Sequence, residues 1–329
     1  MTAPLAEFRL AQPGTVKEAI AACLKHPGSR FVAGGTDLLV NMRRGINSPE
    51  LLIDLAGIDE LTEIKTDGNG VAIGAGVTLS TLARNSAIAN QYRALAQAAA
   101  AIAGPGHRVM ATVGGNLCLD TRCIYYNQSE WWRSANAYCL KNRGDTCHVA
   151  PQGQRCHAAF SGDLAPALLI YGAEVDIAGP RGERRIPLSD LYVEDGKAHL
   201  TLAAGELVVA VHLPATPPAA AYEKVRVRGA IDFPLAGVAV SLAASGTTIG
   251  SLRIALTGTN SRPFLLTGTE TFVGRSVDDK LLQEIDRLVQ KQVQPMRTTL
   301  ASANYRRVAA AALARRLTAR LFSEAGASK

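Results

Sequence analysis

Cysteine and tryptophan are scarce in this chain of 329 residues, which contains six cysteines and two tryptophans. Long apolar runs are also missing, and without about eighteen consecutive apolar residues no membrane-spanning helix is expected. Glu7 and Arg9 interrupt the N-terminal stretch where a signal peptide would need apolar residues. From these absences we expect a cytoplasmic protein with no membrane partner.

The charge is mildly basic, with a formal net charge of +7 and a pI of about 9.2. The positive residues are scattered, and patches of lysine and arginine with interleaved aromatic residues, typical of nucleic-acid-binding proteins, are missing. A basic surface of this kind can still attract an acidic protein partner. Nucleic acid is therefore not an expected ligand.

The few cysteines are not evenly spread. Five of the six, and both tryptophans, lie between Cys118 and Cys156. Because cytoplasmic thiols stay reduced, a disulfide framework is not expected here. The cluster predicts a metal site or a group of buried thiols. The sixth, Cys23, lies on the apolar face of a helix that opens at Thr15, and we interpret it as a core thiol.

The order of predicted elements divides the chain in two. Residues 29–45 and 71–83 each read as a strand, a glycine turn and a helix, whereas 94–104 reads as a helix and 108–118 as a strand leading into a glycine turn. After the linker-like stretch that ends at Pro218, strands are followed by two long helices, an α+β order. We therefore expect one domain over residues 1–218 and another over 219–329.

Two glycine pairs share a design. In AGGTD (33–37) and TVGGN (112–116), adjacent glycines beside small polar residues follow an apolar run. Glycine lets backbone N–H groups approach a ligand, and successive N–H groups can form an anion-binding nest. Two such nests could hold a dinucleotide pyrophosphate, although a single Gly-Gly pair is more often only a turn.

Several motifs of the sequence together resemble a known family. AGGTDLL, IGAGVTLSTLA, ATVGGNLC and GDLAPALL occur in the order seen in the FAD-binding subunits of the xanthine oxidase family of molybdenum enzymes. AYEKVRVR followed by FPLAGVAV is similar to the C-terminal domain of those subunits. The resemblance implies an α+β protein, with an FAD-binding fold of two α/β subdomains, a C-terminal α+β domain and a cysteine-rich insert.

The resemblance also implies a set of FAD-binding residues. The first glycine segment would wrap the pyrophosphate, the second would wall the phosphate and ribityl groups, and single residues would contact the flavin and the ribose side. Lys224 is the least distinctive of these assignments. The implied residues are Val32, Ala33, Gly34, Gly35, Thr36, Asp37, Leu38, Ile102, Thr112, Gly114, Gly115, Asn116, Asp163 and Lys224. No residue of this chain is assigned a catalytic role.

This sequence departs from the family pattern between GGNLC and GDL, where it contains an insert of about forty residues, from about 120 to 160. Cys118 belongs to the glycine segment, which leaves Cys123, Cys139, Cys147 and Cys156 as candidate metal ligands. Four thiolates suit either zinc or an iron–sulfur cluster, and the wide spacing is unusual for both.

Several other side chains of the insert leave alternatives open. Two histidines each follow a cysteine and could replace it as a ligand or lie outside the site. The aromatic residues could shield a cluster from water or simply form a small core for the insert, and the two interpretations are compatible. These residues are His148, His157, Tyr125, Tyr126, Trp131, Trp132 and Tyr138.

The insert, in the tract TRCIYYNQSEWWRSANAYCLKNRGDTCH, narrows the resemblance to the aromatic acyl-CoA reductases of that family. This implies a [4Fe–4S] cluster on the four cysteines and ferredoxin as electron donor. The implied partners are a large molybdenum-cofactor subunit and a small [2Fe–2S] subunit in a dimer of heterotrimers. Two alternatives remain: the flavin subunit of another molybdenum hydroxylase, and a non-redox scaffold that binds zinc.

Overall fold

The computed structural model describes residues 5–327, and it begins with a small parallel sheet of three strands in the order β1-β3-β2. The first helix begins after Thr15, whose side chain accepts a hydrogen bond from the Glu18 backbone N–H at 3.2 Å. The elements are β1 (Arg9–Ala11), α1 (Val16–Lys25), β2 (Arg30–Val32), α2 (Leu38–Arg43) and β3 (Leu51–Asp54).

A second subdomain is built on a five-stranded antiparallel sheet in the order β4-β5-β8-β6-β7. Its two hairpins, β4-β5 and β6-β7, are separated in the chain by the helices and the insert, and β8 joins them by pairing with both β5 and β6. The strands are β4 (Ile64–Asp67), β5 (Gly70–Gly74), β6 (Glu174–Gly179), β7 (Gly182–Pro187) and β8 (Leu207–Pro214). The helices are α3 (Leu79–Arg84), α4 (Ser86–Gln91), α5 (Arg93–Ala101), α6 (Pro105–Arg108), α7 (Val113–Leu117), α8 (Glu130–Ala135) and α9 (Leu164–Leu169).

The C-terminal part is a four-stranded antiparallel sheet, in the order β12-β11-β10-β9, covered by two helices. Leu281, Ile285 and Val289 recur at helical spacing on the buried face of the first of these helices and pack into the core beneath the sheet. The elements are β9 (Ala219–Val225), β10 (Ala236–Ser245), β11 (Thr248–Thr257), β12 (Phe264–Leu265), α10 (Asp279–Gln292) and α11 (Ala303–Ala327).

The expected fold class is confirmed, with two α/β subdomains followed by an α+β part. One local prediction is wrong: residues 108–118 do not form a strand. Pro105 opens the short helix α6, and Thr112 caps α7 by accepting from the Gly115 N–H at 3.1 Å. The capping hydroxyl and the proline at the first helical position decide the local structure against the apolar run.

The insert is a compact lobe closed at a narrow neck. Arg122 and Ala159 exchange two backbone hydrogen bonds, at 2.7 and 2.8 Å, where the chain enters and leaves it. Inside the lobe, α8 is the one regular helix, and a small cluster of buried side chains includes three of the four candidate cysteines. Among the described residues, no helix is long and apolar enough to cross a membrane.

Candidate functional site

The first glycine segment, here called the glycine loop (residues 33–37), connects β2 to α2. Its backbone N–H groups donate no hydrogen bond to any residue within 5–327. Gly35 has a φ of 65°, a left-handed conformation that favours glycine. Successive unpaired N–H groups around such a residue form a nest for an anion, so the loop fits the phosphates of the FAD that the resemblance implies.

Gly34 has a packing role in addition to its expected place around the pyrophosphate, which stays a prediction. A Cβ at this position would lie 1.8 Å from the carbonyl oxygen of Met110, so the residue is small because two backbones touch there. That contact brings the glycine loop against the chain just before Thr112. The two predicted glycine segments are therefore neighbours in the fold.

The second glycine segment (residues 112–116) is not a nest, contrary to expectation. Every backbone N–H of the four residues that follow Thr112 is engaged within the protein. Val113 and Gly114 donate to Val77 and Ala75 at 2.9 and 2.8 Å, and the other two donate to Thr112. These groups cannot also serve phosphate, because the capped helix and the contact with the preceding loop already use them.

The remaining polar residue of that segment holds the fold together. The Asn116 side-chain oxygen accepts a hydrogen bond from the Leu164 N–H at 3.0 Å. It thereby satisfies a donor at the start of α9 and fixes the position of Asp163 beside it. The expected place of Asn116 in a cofactor wall stays a prediction, and its side-chain oxygen is already used in this cap.

Asp163 and Lys224, predicted from separate motifs, form a buried ion pair. The Lys224 Nζ lies 2.9 Å from Asp163 Oδ1, and the side chains are only 3% and 4% exposed. Tyr222 also donates its hydroxyl to the same oxygen at 2.5 Å. Burial raises the pKa of Asp163, and the Lys224 ammonium acts in the opposite direction. The pair links the FAD-binding part of the chain to β9, and contact with the ribose side stays a prediction.

Ile102 lies at the end of α5, where the two halves of the chain meet again. Its side chain is buried, and its carbonyl accepts from Arg108 at 2.7 Å. The following residue, Ala103, accepts from the backbone N–H of Ile231 in the C-terminal part at 3.3 Å. Contact of Ile102 with a flavin stays a prediction.

The four candidate cysteines of the insert line one buried cavity. Cys123, Cys139, Cys147 and Cys156 surround a cavity of about 10 Å³, together with apolar and aromatic side chains. All four are free thiols and all are buried. Among residues 5–327, no group of three or more His, Cys, Asp or Glu side chains is arranged to hold a single metal ion. The four thiols therefore share a cavity, but they are not arranged in a metal-coordination geometry.

A metal can bind in this cavity only if the cysteine thiols lose their protons. Burial raises the pKa of Cys123 to about 11 and that of Cys156 to about 12. Both are therefore protonated thiols at neutral pH, and a metal must displace their protons to bind thiolates. A sulfur-only donor set is typical of iron–sulfur clusters and of structural zinc.

Known proteins resemble this chain over nearly its whole length. Residues 6–216 match the family of the FAD binding domain in molybdopterin dehydrogenase, and residues 220–321 match the CO dehydrogenase flavoprotein C-terminal domain. The chain belongs to the molybdopterin dehydrogenase flavoprotein family. The family accounts for FAD in this chain and for its place among oxidoreductase subunits.

Individual proteins with this family assignment are similar to the chain over most of its length. The aldehyde oxidoreductase FAD-binding subunit PaoB of Escherichia coli (strain K12) is 37% identical over 270 residues, which cover 78% of this chain and 83% of the relative. The carbon monoxide dehydrogenase medium chain of Afipia carboxidovorans is 27% identical over 322 residues, covering 97% and 98%. A solved CO dehydrogenase from Oligotropha carboxidovorans superposes with a TM-score of 0.80 at 25% identity, covering 97% and 99%.

The two remaining cysteines and the two histidines of the insert differ in whether they line the cysteine cavity. Cys118 packs against the main core and Cys23 against the core of the first subdomain, and neither lines the cavity. His148 lines the cavity and contacts the Tyr138 carbonyl through Nε2. His157 does not line it, and burial lowers its pKa.

The aromatic residues of the insert do not act as a single wall. Tyr125 and Tyr126 line the cavity, and Trp132 packs on Tyr125 with ring centroids 6.2 Å apart. Trp131 is 77% exposed, so its expected place in the shield or in a small core is wrong. Adjacent residues on a short helix point to different sides, which explains why only one of the two tryptophans turns inward.

Sequence reasoning missed two buried cations of the flavoprotein. Lys141 lines the cysteine cavity, and its Nζ lies 2.6 Å from Asp120 Oδ1. Arg122, next to Cys123, pairs with Asp37 of the glycine loop. A lone basic residue beside a cysteine carries no periodic signal, so only the folded arrangement identifies either one.

Proposed function

We propose that this chain is the electron-transfer subunit of a 4-hydroxybenzoyl-CoA reductase and carries FAD and a [4Fe–4S] cluster. The observation that carries the proposal is the single buried cavity lined by Cys123, Cys139, Cys147 and Cys156, within an insert at the place where this resemblance predicts a cluster. When bound, the two groups would supply the one- and two-electron chemistry that relays electrons from reduced ferredoxin to [2Fe–2S] and molybdenum centres in partner subunits.

The residues of this chain would bind and shield those groups. The unpaired N–H groups of the glycine loop would donate to the FAD pyrophosphate, and Gly34 allows the close backbone contact that shapes the loop. The four thiols would bind the cluster after losing their protons. Tyr125 and Tyr126 would limit the access of water to the thiols, which is one way in which a protein tunes a cluster.

The partners follow from the same proposal. We infer a cytoplasmic complex with a large molybdenum-cofactor subunit and a small [2Fe–2S] subunit, arranged as a dimer of heterotrimers. Relatives named as a medium chain and as an FAD-binding subunit support a multi-subunit assembly. We also propose a domain division at residue 218, and the two family matches on either side of it, 6–216 and 220–321, support that division.

A second candidate function is the FAD subunit of an aldehyde oxidoreductase. The observation in its favour is the 37% identity to PaoB over 78% of the chain. In that case the same cofactors would carry electrons away from an oxidised aldehyde. The two candidates differ in substrate and in the direction of electron flow, and not in what this chain must bind.

The test is turnover of the complex purified with its partner subunits under anaerobic conditions. The proposal predicts that reduced ferredoxin drives conversion of 4-hydroxybenzoyl-CoA to benzoyl-CoA. Oxidation of aldehydes, with no reaction of 4-hydroxybenzoyl-CoA, would contradict the reductase and support the second candidate. A colourless complex that contains zinc and no flavin would contradict both.

A further inference from the structure

The neck of the insert reaches directly into the glycine loop. Arg122 is fixed there by its two backbone bonds to Ala159, and its side chain is 9% exposed. The guanidinium forms an ion pair with Asp37, and its Nη1 donates to Asn41 Oδ1 at 3.3 Å. It also lies over the Phe233 ring, 4.7 Å from the centroid. One side chain therefore joins the insert, the glycine loop and the C-terminal part.

Asp37 places a carboxylate at the edge of the expected phosphate site. It ends the loop of unpaired N–H groups, and its side chain makes no capping bond to α2. Its other contact is with Asn41 Nδ2, at 3.2 Å from Oδ2. A carboxylate beside a pyrophosphate repels it, and the repulsion is strong where water is partly excluded. Some positive charge must offset it if the loop is to hold an anion.

Arg122 is suited to that task. Its guanidinium is buried and stays charged. Its Nε and Nη2 have no hydrogen-bond partner among the described residues, so the contact of Nη2 with Asp37 is an ion pair and not a hydrogen bond. Arg133, the other buried arginine of the insert, differs because it mainly donates to carbonyls, including that of Gly45 at 2.9 Å, and so clamps the end of α2. The two arginines hold the insert on α2, but only Arg122 faces the charge of the glycine loop.

We propose that Arg122 is a positioning residue that neutralises Asp37, so that the neck of the insert controls how tightly the glycine loop retains FAD. This inference rests on the proposed function, because it assumes FAD in the loop. It assigns a role in flavin binding to a residue next to the cysteine cavity. The insert would then influence the flavin site through a charge contact, in addition to its role at the cavity.

The experiment compares FAD retention among variants of the complex. Arg122→Met leaves Asp37 unneutralised and should raise the FAD dissociation constant by about tenfold or more. Arg122→Lys keeps the charge and should bind FAD nearly as well as the wild type. Adding Asp37→Asn to Arg122→Met should restore most of the lost affinity, because the repelling charge is removed. Flavin fluorescence on release measures all three.

Controls separate this mechanism from a folding defect. Arg143→Met removes another insert arginine that pairs with Glu130 and not with the glycine loop, and should leave FAD binding unchanged. Iron content should stay at the wild-type level in Arg122→Met, since the backbone bonds of the neck remain. If Arg122→Met does not fold, Arg122→Gln, which keeps a donor for Asn41 without the charge, takes its place in every comparison.

Two outcomes would overturn the inference. One is FAD affinity in Arg122→Met within about twofold of the wild type, less than loss of a buried pair predicts. The other is a double variant that binds FAD no better than Arg122→Met, because a purely structural contact is not repaired by removing its partner. Wild-type complex without FAD would instead contradict the proposed function, so the two failures are distinguishable.

Discussion

The glycine loop and the cysteine cavity present their binding groups in opposite ways. The loop offers backbone N–H groups, and its shape depends on the contact of Gly34 with the Met110 carbonyl. The cavity offers side-chain sulfur from a lobe that is joined to the rest of the chain at a neck. Substitutions in the glycine loop change backbone packing as well as the binding groups. In the cysteine cavity, each Cys→Ser substitution removes one sulfur atom and leaves the backbone in place.

The largest expected effect tests whether the cavity is separable from the flavin site. A Cys123→Ser/Cys139→Ser variant should lose its iron and all ferredoxin-driven turnover, because two of four thiolate ligands are gone. It should keep FAD, and turnover should persist when a small reducing dye donates directly to later centres. Iron analysis, flavin content and the two assays check this. Persistent ferredoxin-driven turnover in a complex whose FAD-binding chain has lost its iron would mean that the insert is only structural.

Single substitutions sharpen the assignment of ligands. Cys147→Ser should lower the iron content strongly, because its sulfur lines the cavity. Cys118→Ser and Cys23→Ser are matched controls that remove a thiol elsewhere and should leave iron at the wild-type level. Wild-type iron content in Cys147→Ser would contradict the assignment of four cysteine ligands. Loss of iron in Cys118→Ser would mean that the cavity is not the metal site.

On the flavin side, Gly34→Ala should disturb fold and cofactor together. The added methyl would meet the Met110 carbonyl, and the backbone must move, at a cost of about 3 kcal/mol or more in the free energy of unfolding. Denaturant unfolding and flavin content measure the two effects. A Gly34→Ala protein with wild-type stability would show that the two backbones are not in contact.

Gly115→Ala should separate the two effects that Gly34→Ala combines. Its added Cβ would meet only the Thr112 hydroxyl, at 3.0 Å, so stability should change by no more than about 1 kcal/mol. If the second glycine segment walls the cofactor, FAD binding should still weaken measurably. Unchanged FAD affinity would remove Gly115 from the site and leave the segment a packing role alone.

The smallest effects distinguish the two faces of the insert. Trp131→Ala should change stability by less than about 0.5 kcal/mol and leave iron unaffected, because the ring is exposed. Tyr126→Ala opens the cavity and removes the hydroxyl that donates to Asp120 at 3.1 Å. It should speed the loss of iron in air, measured as the decay of cluster absorbance. Equal decay rates in both variants would argue against shielding by Tyr126.

The sequence predicted most of the fold because its elements carry local signals. Apolar periodicity marks α10, and the Thr15 cap marks α1, so both were recognisable without the fold. Residues 108–118 carry an apolar run that favours a strand, but Pro105 and the capping Thr112 start short helices there instead. The glycine pairs show the limit of local signals: both read as nests, and only the hydrogen bonds to Ala75 and Val77 reveal that one is closed.

At the candidate site, the sequence predicted the grouping of the four cysteines but not the charged contacts around them. Cysteine is rare here, so four within one insert stood out, and the fold brings all four to one cavity. Asp163 and Lys224 were predicted from separate motifs, but nothing local indicated that they pair. Arg122 and Lys141 acquire their roles only through contacts with residues far away in the chain, which no spacing rule records.

The most direct test of the central claim is the metal and flavin content of the anaerobically purified protein. We expect about four iron and four acid-labile sulfide per chain, together with one FAD and no zinc. Zinc in place of iron, or FAD with no iron and no sulfide, would contradict the assignment of a [4Fe–4S] cluster to the cysteine cavity.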